Sequence, residues 1–167
     1  FSSENWKRPK KEINYLFKLI KQYFLKEIKS IMSQDIKIKL LGEINKLPSD
    51  IKKTLKISAN KTKKNKKIIV NLAINYGSKN ELINAINKTN NRINIKNLEK
   101  NLYTKGMPNP DILIRTGGHQ RLSNFLLWQL AYAELFFLKK LWPDFKENDL
   151  RNIINKFKQS KRNFGAI

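Results

Sequence analysis

An apolar strand, a glycine turn and two arginines stand together in residues 111–129 of this chain. Ile112, Leu113 and Ile114 form a short continuous apolar run, which predicts a strand buried on both faces. Ligands of open α/β sheets collect at the carboxyl ends of such strands, and Arg115 stands at that end. The run therefore predicts an α/β fold with an anion site at the edge of its sheet.

The residues after this strand indicate how an anion would be held. Gly117 and Gly118 lack a Cβ, so their backbone N–H groups can approach a bound group closely. Ser123 is placed to cap a following helix, whose N-terminus would add N–H donors and a favourable dipole. The guanidinium groups of Arg115 and Arg121 would add bidentate contacts to phosphate oxygens. Spacing alone leaves an alternative open, in which this is a plain strand, turn and helix whose arginines pair with surface carboxylates.

Helix and strand patterns alternate along the chain. Apolar residues recur at helical spacing from Pro9 to about residue 34 and then alternate with lysines up to Gly42, which predicts a long amphipathic helix followed by a strand. The further elements are predicted as a helix at 50–59, a strand at 68–76, helices at 78–88 and 95–103, a strand from 111, a helix from 123, a strand at 134–138 and a helix at 147–161. Strands separated by helices imply a mostly parallel central sheet flanked by helices. The sequence shows no internal repeat and no sign of a second domain, so residues 1–167 are interpreted as a single domain.

The charge of the chain is strongly positive. It carries 35 Lys and Arg against 13 Asp and Glu, a formal net charge of +22, and such a charge ordinarily indicates nucleic acid or an anionic membrane as partner. The lysines are interleaved with Asn and Ile, as in residues 60–67, which is typical of AT-rich codon bias, so we favour an ordinary solvated surface over a nucleic-acid patch. The chain has no Cys, which excludes disulfides and thiolate metal sites. Because nothing resembles a signal peptide or a spanning segment, we expect a cytoplasmic protein that touches the inner membrane peripherally.

Four motifs carry a resemblance to a known family. They are residues 1–9 (FSSENWKRP), 71–77 (NLAINYG), 111–129 (DILIRTGGHQRLSNFLLWQ) and 141–145 (LWPDF). In this order, and over nearly the whole chain, they resemble the cis-prenyltransferases and, more narrowly, the bacterial undecaprenyl diphosphate synthases. The resemblance implies Mg²⁺-dependent condensation of isopentenyl diphosphate onto an allylic diphosphate such as farnesyl diphosphate. The implied product is a long-chain polyprenyl diphosphate such as undecaprenyl diphosphate, the lipid carrier precursor for cell-wall synthesis.

The resemblance also assigns the diphosphate and metal residues. Arg115, Arg121 and Ser123 would hold the diphosphate of isopentenyl diphosphate. Glu134 would help to bind Mg²⁺ at the site of the neighbouring subunit in a homodimer. Outside the motif context, the favoured interpretation of Glu134 is a surface carboxylate; within that context, the metal role is favoured.

Residues at the start of the chain match the family's catalytic loop. Asn5 and Arg8 would act near the reacting diphosphates, with Trp6 in a mobile loop and Ser2 beside the substrate. Taken alone, Trp6 is also a plausible packing residue and Asn5 a turn former. Five further residues match positions that line the family's tunnel for the growing prenyl chain, although a core role explains them as well: Leu16, Leu19, Ile36, Ile68 and Val70.

Three positions depart from the family pattern. His119 stands where the family usually has Glu, and it is followed by Gln120. Lys79 replaces an Arg. Asn163 replaces the Arg of a C-terminal motif, with Arg162 beside it as the candidate substitute.

The family's first strand and its aspartate- and glycine-rich loop have no counterpart in residues 1–167. That loop holds the allylic diphosphate and supplies the catalytic aspartate, so we expect the chain as given to be an N-terminally truncated form that is inactive alone. Three functions compete: the catalytic synthase, a noncatalytic subunit of a two-component cis-prenyltransferase, and a basic nucleic-acid-binding module. The presence of Asn5, Arg8, Arg115 and Arg121 argues against the second.

Overall fold

The computed structural model describes residues 1–90 and 92–160. The chain divides into two compact units, Phe1–Lys105 and Gly106–Ile167. Each unit is built on one pair of parallel strands with helices packed in the same unit. The predicted α/β class with parallel strands is confirmed.

The first unit follows the predicted order of elements. Its helices and strands are α1 (Lys10–Ser33), β1 (Ile36–Leu41), α2 (Ser49–Lys61), β2 (Ile68–Ala73), α3 (Ser78–Asn87) and α4 (Ile95–Glu99). A 3₁₀ turn, Ser3–Lys7, precedes α1. The strands β1 and β2 pair in parallel, from Ile36 opposite Ile68 to Leu41 opposite Ala73.

The core of this unit lies between α1, α2 and the strand pair. Ile13, Phe17 and Phe24 fall on one face of α1 and are buried, as the helical period requires. Ile51 and the fully buried Leu55 come from α2. This packing fixes the N-terminal end of α1, and with it the 3₁₀ turn that leads into the helix.

The carboxyl ends of β1 and β2 meet in a close backbone crossing. Gly42 has a φ of +110°, and a Cβ built on it would lie 2.3 Å from the carbonyl oxygen of Ile74. Asn75, directly after that carbonyl, has a φ of +50°. Only glycine fits at position 42, because any side chain there would collide with the main chain that leaves β2.

The second unit contains β3 (Ile112–Arg115), β4 (Glu134–Phe137) and α5 (Glu147–Gln159). The two strands are parallel, with Ile112 opposite Glu134 and Arg115 opposite Phe137. Strands and helix match the predicted positions. The C-terminal departures at Arg162 and Asn163 lie outside the described residues.

The predicted helix after Ser123 is wrong. Residues 123–132 form successive turns and bends, and Ser123, Asn124 and Leu126 have φ values of +49°, +60° and +45°. Left-handed residues cannot continue a right-handed helix. Ser and Asn side chains also bond readily to nearby backbone, which favours turns over helices.

Across residues 1–90 and 92–160, no helix combines the length and the apolar character that crossing a membrane requires.

Candidate active site

The 3₁₀ turn brings four of the predicted residues together. The Oδ1 of Asn5 accepts a hydrogen bond of 2.6 Å from the backbone N–H of Ser2, and the backbone N–H of Arg8 donates to the carbonyl of Asn5 at 3.0 Å. Asn5 is therefore a turn former, with its amide N–H groups as the donors that it can offer to a ligand. Ser2, Asn5, Trp6 and Arg8 share one short segment, as expected.

Trp6 is held on two sides. Its ring centroid lies 5.4 Å from that of Phe1 and 5.7 Å from that of Phe17. Its Nε1 donates a 2.7 Å hydrogen bond to the Oδ1 of Asn75. The side chain is nevertheless 40% exposed, so a fixed indole presents an open surface beside Asn5 and Arg8.

Arg8 has a partner that a ligand can replace. Its Nη1 bonds the carboxylate of Glu12 one helical turn further on, and both side chains are about half exposed. An exposed ion pair of this kind contributes about 1 kcal/mol or less. Replacing Glu12 by a diphosphate oxygen as the partner of Arg8 would therefore lose little free energy.

An apolar groove of about 400 Å³ runs between α1 and the end of β2. Leu19, one of the five predicted tunnel residues, lines it together with Tyr23, Phe24 and Leu72. Leu16 and Ile36 are half-buried, whereas Ile68 and Val70 stand on β2 with exposures of 51% and 37%. The apolar lining is suited to a hydrocarbon chain, and Leu19 is the predicted tunnel residue that contributes to it.

The second unit gathers the predicted diphosphate residues. The Nη1 of Arg115, at the carboxyl end of β3, donates to the hydroxyl of Ser123 at 3.0 Å and also to the carbonyl oxygen of Arg121. Arg115 therefore forms one cluster with Ser123 and the backbone of Arg121, although eight residues separate its ends. We call it the arginine–serine cluster.

The glycine turn contributes differently from what we expected. The N–H of Gly117 donates to the carbonyl of Lys140 at 2.8 Å, and the N–H of Gly118 donates to the carbonyl of Leu138 at 2.9 Å. These groups fasten the turn to the chain that leaves β4, so their expected role as anion donors is wrong. A helix N-terminus at Ser123 is absent as well. The Arg115 guanidinium and the Ser123 hydroxyl are the side-chain groups of the cluster that remain to hold an anion.

Glu134 does not join this cluster within one chain. It opens β4, and its N–H donates to the carbonyl of Asp111 at 2.9 Å. Arg115 pairs with Phe137 at the other end of the strand pair, so Glu134 and Arg115 are roughly 10 Å apart along the strands.

The metal donors in the described residues are sparse. No group of three His, Cys, Asp or Glu side chains that could hold a metal comes together within residues 1–90 and 92–160. Mg²⁺ commonly takes one or two carboxylates and completes its shell with phosphate and water. The half-buried carboxylate of Glu134 fits the role of one such ligand. His119 and Gln120 lie exposed in the glycine turn.

Two buried polar residues lie on the segment after β2, and the sequence analysis assigned neither of them to the site. Asn75 is 3% exposed, and Glu81 is 1% exposed. The carboxylate of Glu81 accepts from the hydroxyl of Tyr76 at 2.5 Å and from the N–H of Tyr103 at 2.7 Å. Burial is the main reason that the pKa of the neighbouring Tyr103 is raised. The motif at 71–77 was the available signal for Asn75, but it carries no indication of which side chain faces inward, and Glu81 lies outside it.

The apolar groove of the first unit suits a hydrocarbon chain, and the arginine–serine cluster of the second unit suits a phosphate group. Residues 1–165 match the family model of undecaprenyl diphosphate synthases. The chain belongs to this family of prenyltransferases.

Relatives and solved structures agree with this assignment. The isoprenyl transferase of Clostridium tetani is 43% identical over 100% of this chain and 69% of its own length. That of Rickettsia typhi is 41% identical over 99% of this chain and 75% of its own. A probable undecaprenyl diphosphate synthase from Campylobacter jejuni has a TM-score of 0.90 at 34% identity, covering 99% of this chain and 80% of that one. Lavandulyl diphosphate synthase from Lavandula x intermedia, in complex with dimethylallyl diphosphate, has a TM-score of 0.93 at 31% identity, covering 99% and 76%.

Proposed function

We propose that the protein catalyses cis-prenyl transfer, condensing isopentenyl diphosphate onto an allylic diphosphate such as farnesyl diphosphate. The proposed product is a long-chain polyprenyl diphosphate such as undecaprenyl diphosphate. The observation that carries the proposal is the arginine–serine cluster at the carboxyl end of β3, in a chain of this family.

Arg115, Arg121 and Ser123 bind the diphosphate of isopentenyl diphosphate. Guanidinium groups form short, charge-assisted and bidentate bonds to phosphate oxygens. The bonds from Arg115 to Ser123 and to the Arg121 carbonyl orient its guanidinium before substrate arrives. Such preorganisation lowers the ordering cost of binding.

Asn5 and Arg8 act on the allylic diphosphate. When the allylic carbon–oxygen bond breaks, negative charge builds on the departing diphosphate, and fixed cationic and N–H donors lower the barrier. The new bond joins the allylic carbon to the terminal alkene carbon of isopentenyl diphosphate, and a proton is then lost to give the cis double bond. Ser2 and Trp6 border the substrate.

The apolar groove receives the growing chain. Five residues are assigned to it, and their apolar side chains keep water from the cation-like carbon: Leu16, Leu19, Ile36, Ile68 and Val70. Of these, Leu19 lines the groove between α1 and β2.

Mg²⁺ supplies charge neutralisation to the diphosphates when bound. Glu134 would hold it across a homodimer, in the partner subunit's site. This placement is supported by the distance along the strands between Glu134 and Arg115 in one chain. We further propose a cytoplasmic protein that touches the inner membrane surface to release product and has no nucleic-acid partner.

Incorporation of radiolabelled isopentenyl diphosphate tests the function. The complete natural chain is incubated with farnesyl diphosphate and Mg²⁺, and butanol-extracted products are separated by length. We expect a ladder of polyprenyl diphosphates. A parallel gel shift with DNA and RNA at rising salt should show only weak complexes that dissolve near physiological ionic strength. No incorporation, together with nucleic-acid binding that survives such salt, would overturn the proposal in favour of the basic module.

A further inference from the structure

Asn75 joins three segments of the first unit through one side chain. Its Oδ1 accepts from the indole Nε1 of Trp6 at 2.7 Å, and its Nδ2 donates to the carbonyl of Glu43 at 3.0 Å. Its own carbonyl accepts from the N–H of Glu43 at 3.2 Å. The 3₁₀ turn, the exit of β1 and the exit of β2 therefore meet at this buried amide.

Few residue types could occupy this position. The indole N–H is only a donor and the Glu43 carbonyl is only an acceptor, so a single side chain must both accept and donate. The backbone at Asn75 is left-handed, with a φ of +50°, a conformation that Asn adopts more readily than most residues other than Gly. A carboxylate of the same size would lack the donor for the Glu43 carbonyl and would bury a charge.

The turn that carries Asn5 and Arg8 is attached to the residues that follow β2 on both of its sides. The N–H of Ser3 donates to the carbonyl of Tyr76 at 2.9 Å, at the start of the turn. Trp6 lies between Asn5 and Arg8, and its bond to Asn75 is the attachment at the far side. Phe1 packs edge-on and Phe17 at a tilt against the indole, and the bond to Asn75 fixes the direction in which its Nε1 points.

We infer that Asn75 is a positioning residue for prenyl transfer, acting through the Trp6 indole to place Asn5 and Arg8 against the reacting diphosphate. This inference rests on the proposed function. Asn75 is thereby given a role in turnover, and this role is separate from the binding of isopentenyl diphosphate. Misplacing a catalytic group by about 1 Å can cost on the order of 100-fold in rate, so the loss of this bond should be visible in kcat.

The test compares Asn75→Gly with wild type in the complete natural chain. Glycine tolerates the left-handed backbone and removes both side-chain bonds. We expect kcat to fall roughly 10- to 100-fold, with the KM for isopentenyl diphosphate changed by less than about 3-fold, since the arginine–serine cluster is untouched. In a ¹⁵N-labelled sample, the indole N–H resonance of Trp6, assigned with Trp6→Phe, should move and exchange faster with solvent.

Two further variants keep the test decisive. Asn84→Ala removes another half-buried amide bond in the same unit, to the Tyr103 hydroxyl at 3.1 Å, and should leave kcat and the Trp6 resonance unchanged. Trp6→Phe keeps an aromatic ring and removes the indole N–H, so it should lower kcat by a similar factor, and the double variant with Asn75→Gly should be no worse than either single. If Asn75→Gly fails to fold, Trp6→Phe decides: a normal kcat there would overturn the inference, and so would a fall in activity that comes only from a higher KM for the allylic diphosphate, which marks a lost substrate contact.

The outcomes separate the inference from the function. An active wild type whose Asn75→Gly variant turns over normally, or loses only affinity for isopentenyl diphosphate, would overturn the positioning role and leave the function standing. A wild type that transfers no prenyl group would overturn both, even with the Trp6 resonance where we expect it.

Discussion

At the scale of single residues, Arg115 shows how a short segment organises a binding group. It ends β3, and its guanidinium reaches across the turn to the Ser123 hydroxyl and the Arg121 carbonyl. The strand places the Cα, and the turns of residues 117–126 bring the acceptors back to it. A point substitution here should therefore affect binding of the anion more than the fold.

Arg115→Ala should weaken binding of isopentenyl diphosphate by about 1.5–3 kcal/mol, the scale of a charged hydrogen bond. This corresponds to a rise in KM of roughly 10- to 150-fold, measured by incorporation at fixed farnesyl diphosphate. Arg121→Ala should behave similarly. Arg151→Ala is the matched control, because Arg151 is exposed on α5 and pairs with Glu147. An unchanged KM in both cluster variants would refute the assignment.

Glu134→Gln should lower turnover and raise the Mg²⁺ concentration needed for half-maximal activity, because a hard anionic oxygen is lost. Glu147→Gln, on the exposed surface of α5, is the control. Mixing Glu134→Gln with Arg115→Ala subunits should restore part of the activity, since one composite site of each heterodimer regains both residues. If verified subunit exchange brings no recovery, the site is built within one chain.

At the scale of elements, α5 illustrates how charge fixes a helix start. The carboxylate of Asp149 accepts from the backbone N–H of Lys146 at 2.9 Å and from the Nζ of Lys140 at 2.7 Å. The bond from Lys140 is the main reason that the pKa of Asp149 is lowered. The same carboxylate thus caps the helix and ties it to the chain that follows β4.

Asp149→Asn should lower the melting temperature at neutral pH. A carboxyl whose folded pKa is depressed adds stability above its unfolded pKa, near 3.9, and that stability is lost as pH falls through the folded pKa. The difference in Tm between wild type and variant should therefore shrink below about pH 4. Lys140→Gln should reproduce part of the effect, whereas Asp144→Asn should not. A Tm difference that stays constant down to pH 2 would contradict this account.

Most element positions were predictable from sequence, because the spacing of apolar residues and the residues that begin or end an element are local features of the chain. Alternation of Ile and Lys indicated β1, and apolar residues every three or four positions indicated α1. The helix expected after Ser123 failed for a tertiary reason: the glycine N–H groups bond to the segment after β4, and three left-handed residues turn the chain back toward Arg115.

At the scale of the whole molecule, β2 is unusual for a parallel strand. Ile68, Ile69 and Val70 are 51%, 49% and 37% exposed, although apolar residues of parallel strands are normally covered on both faces. An apolar strand face this exposed favours further protein packed on it in the active form.

Residues 1–167 alone should show no prenyl transfer and should melt with low cooperativity. A hybrid that joins the corresponding upstream part of the Clostridium tetani relative to Phe1 should gain both cooperative melting and turnover. The hybrid with Arg115→Ala serves as the control, because it should fold without regaining normal affinity for isopentenyl diphosphate. An active and cooperatively melting preparation of residues 1–167 would disprove this prediction.

The sequence by itself determined the α/β class, the family and the order of the elements apart from the helix expected after Ser123, because periodicity and ungapped motifs are properties of neighbouring residues. It also placed Arg115 at a strand end and Asn5 and Arg8 in one short segment. Only the tertiary structure decided that the glycine N–H groups serve the fold, that Ser123 meets Arg115 through turns, and that Asn75 holds Trp6. Those pairings join residues 8 to 69 positions apart, and such distant partners are selected by packing and by the need to satisfy buried polar groups rather than by local pattern.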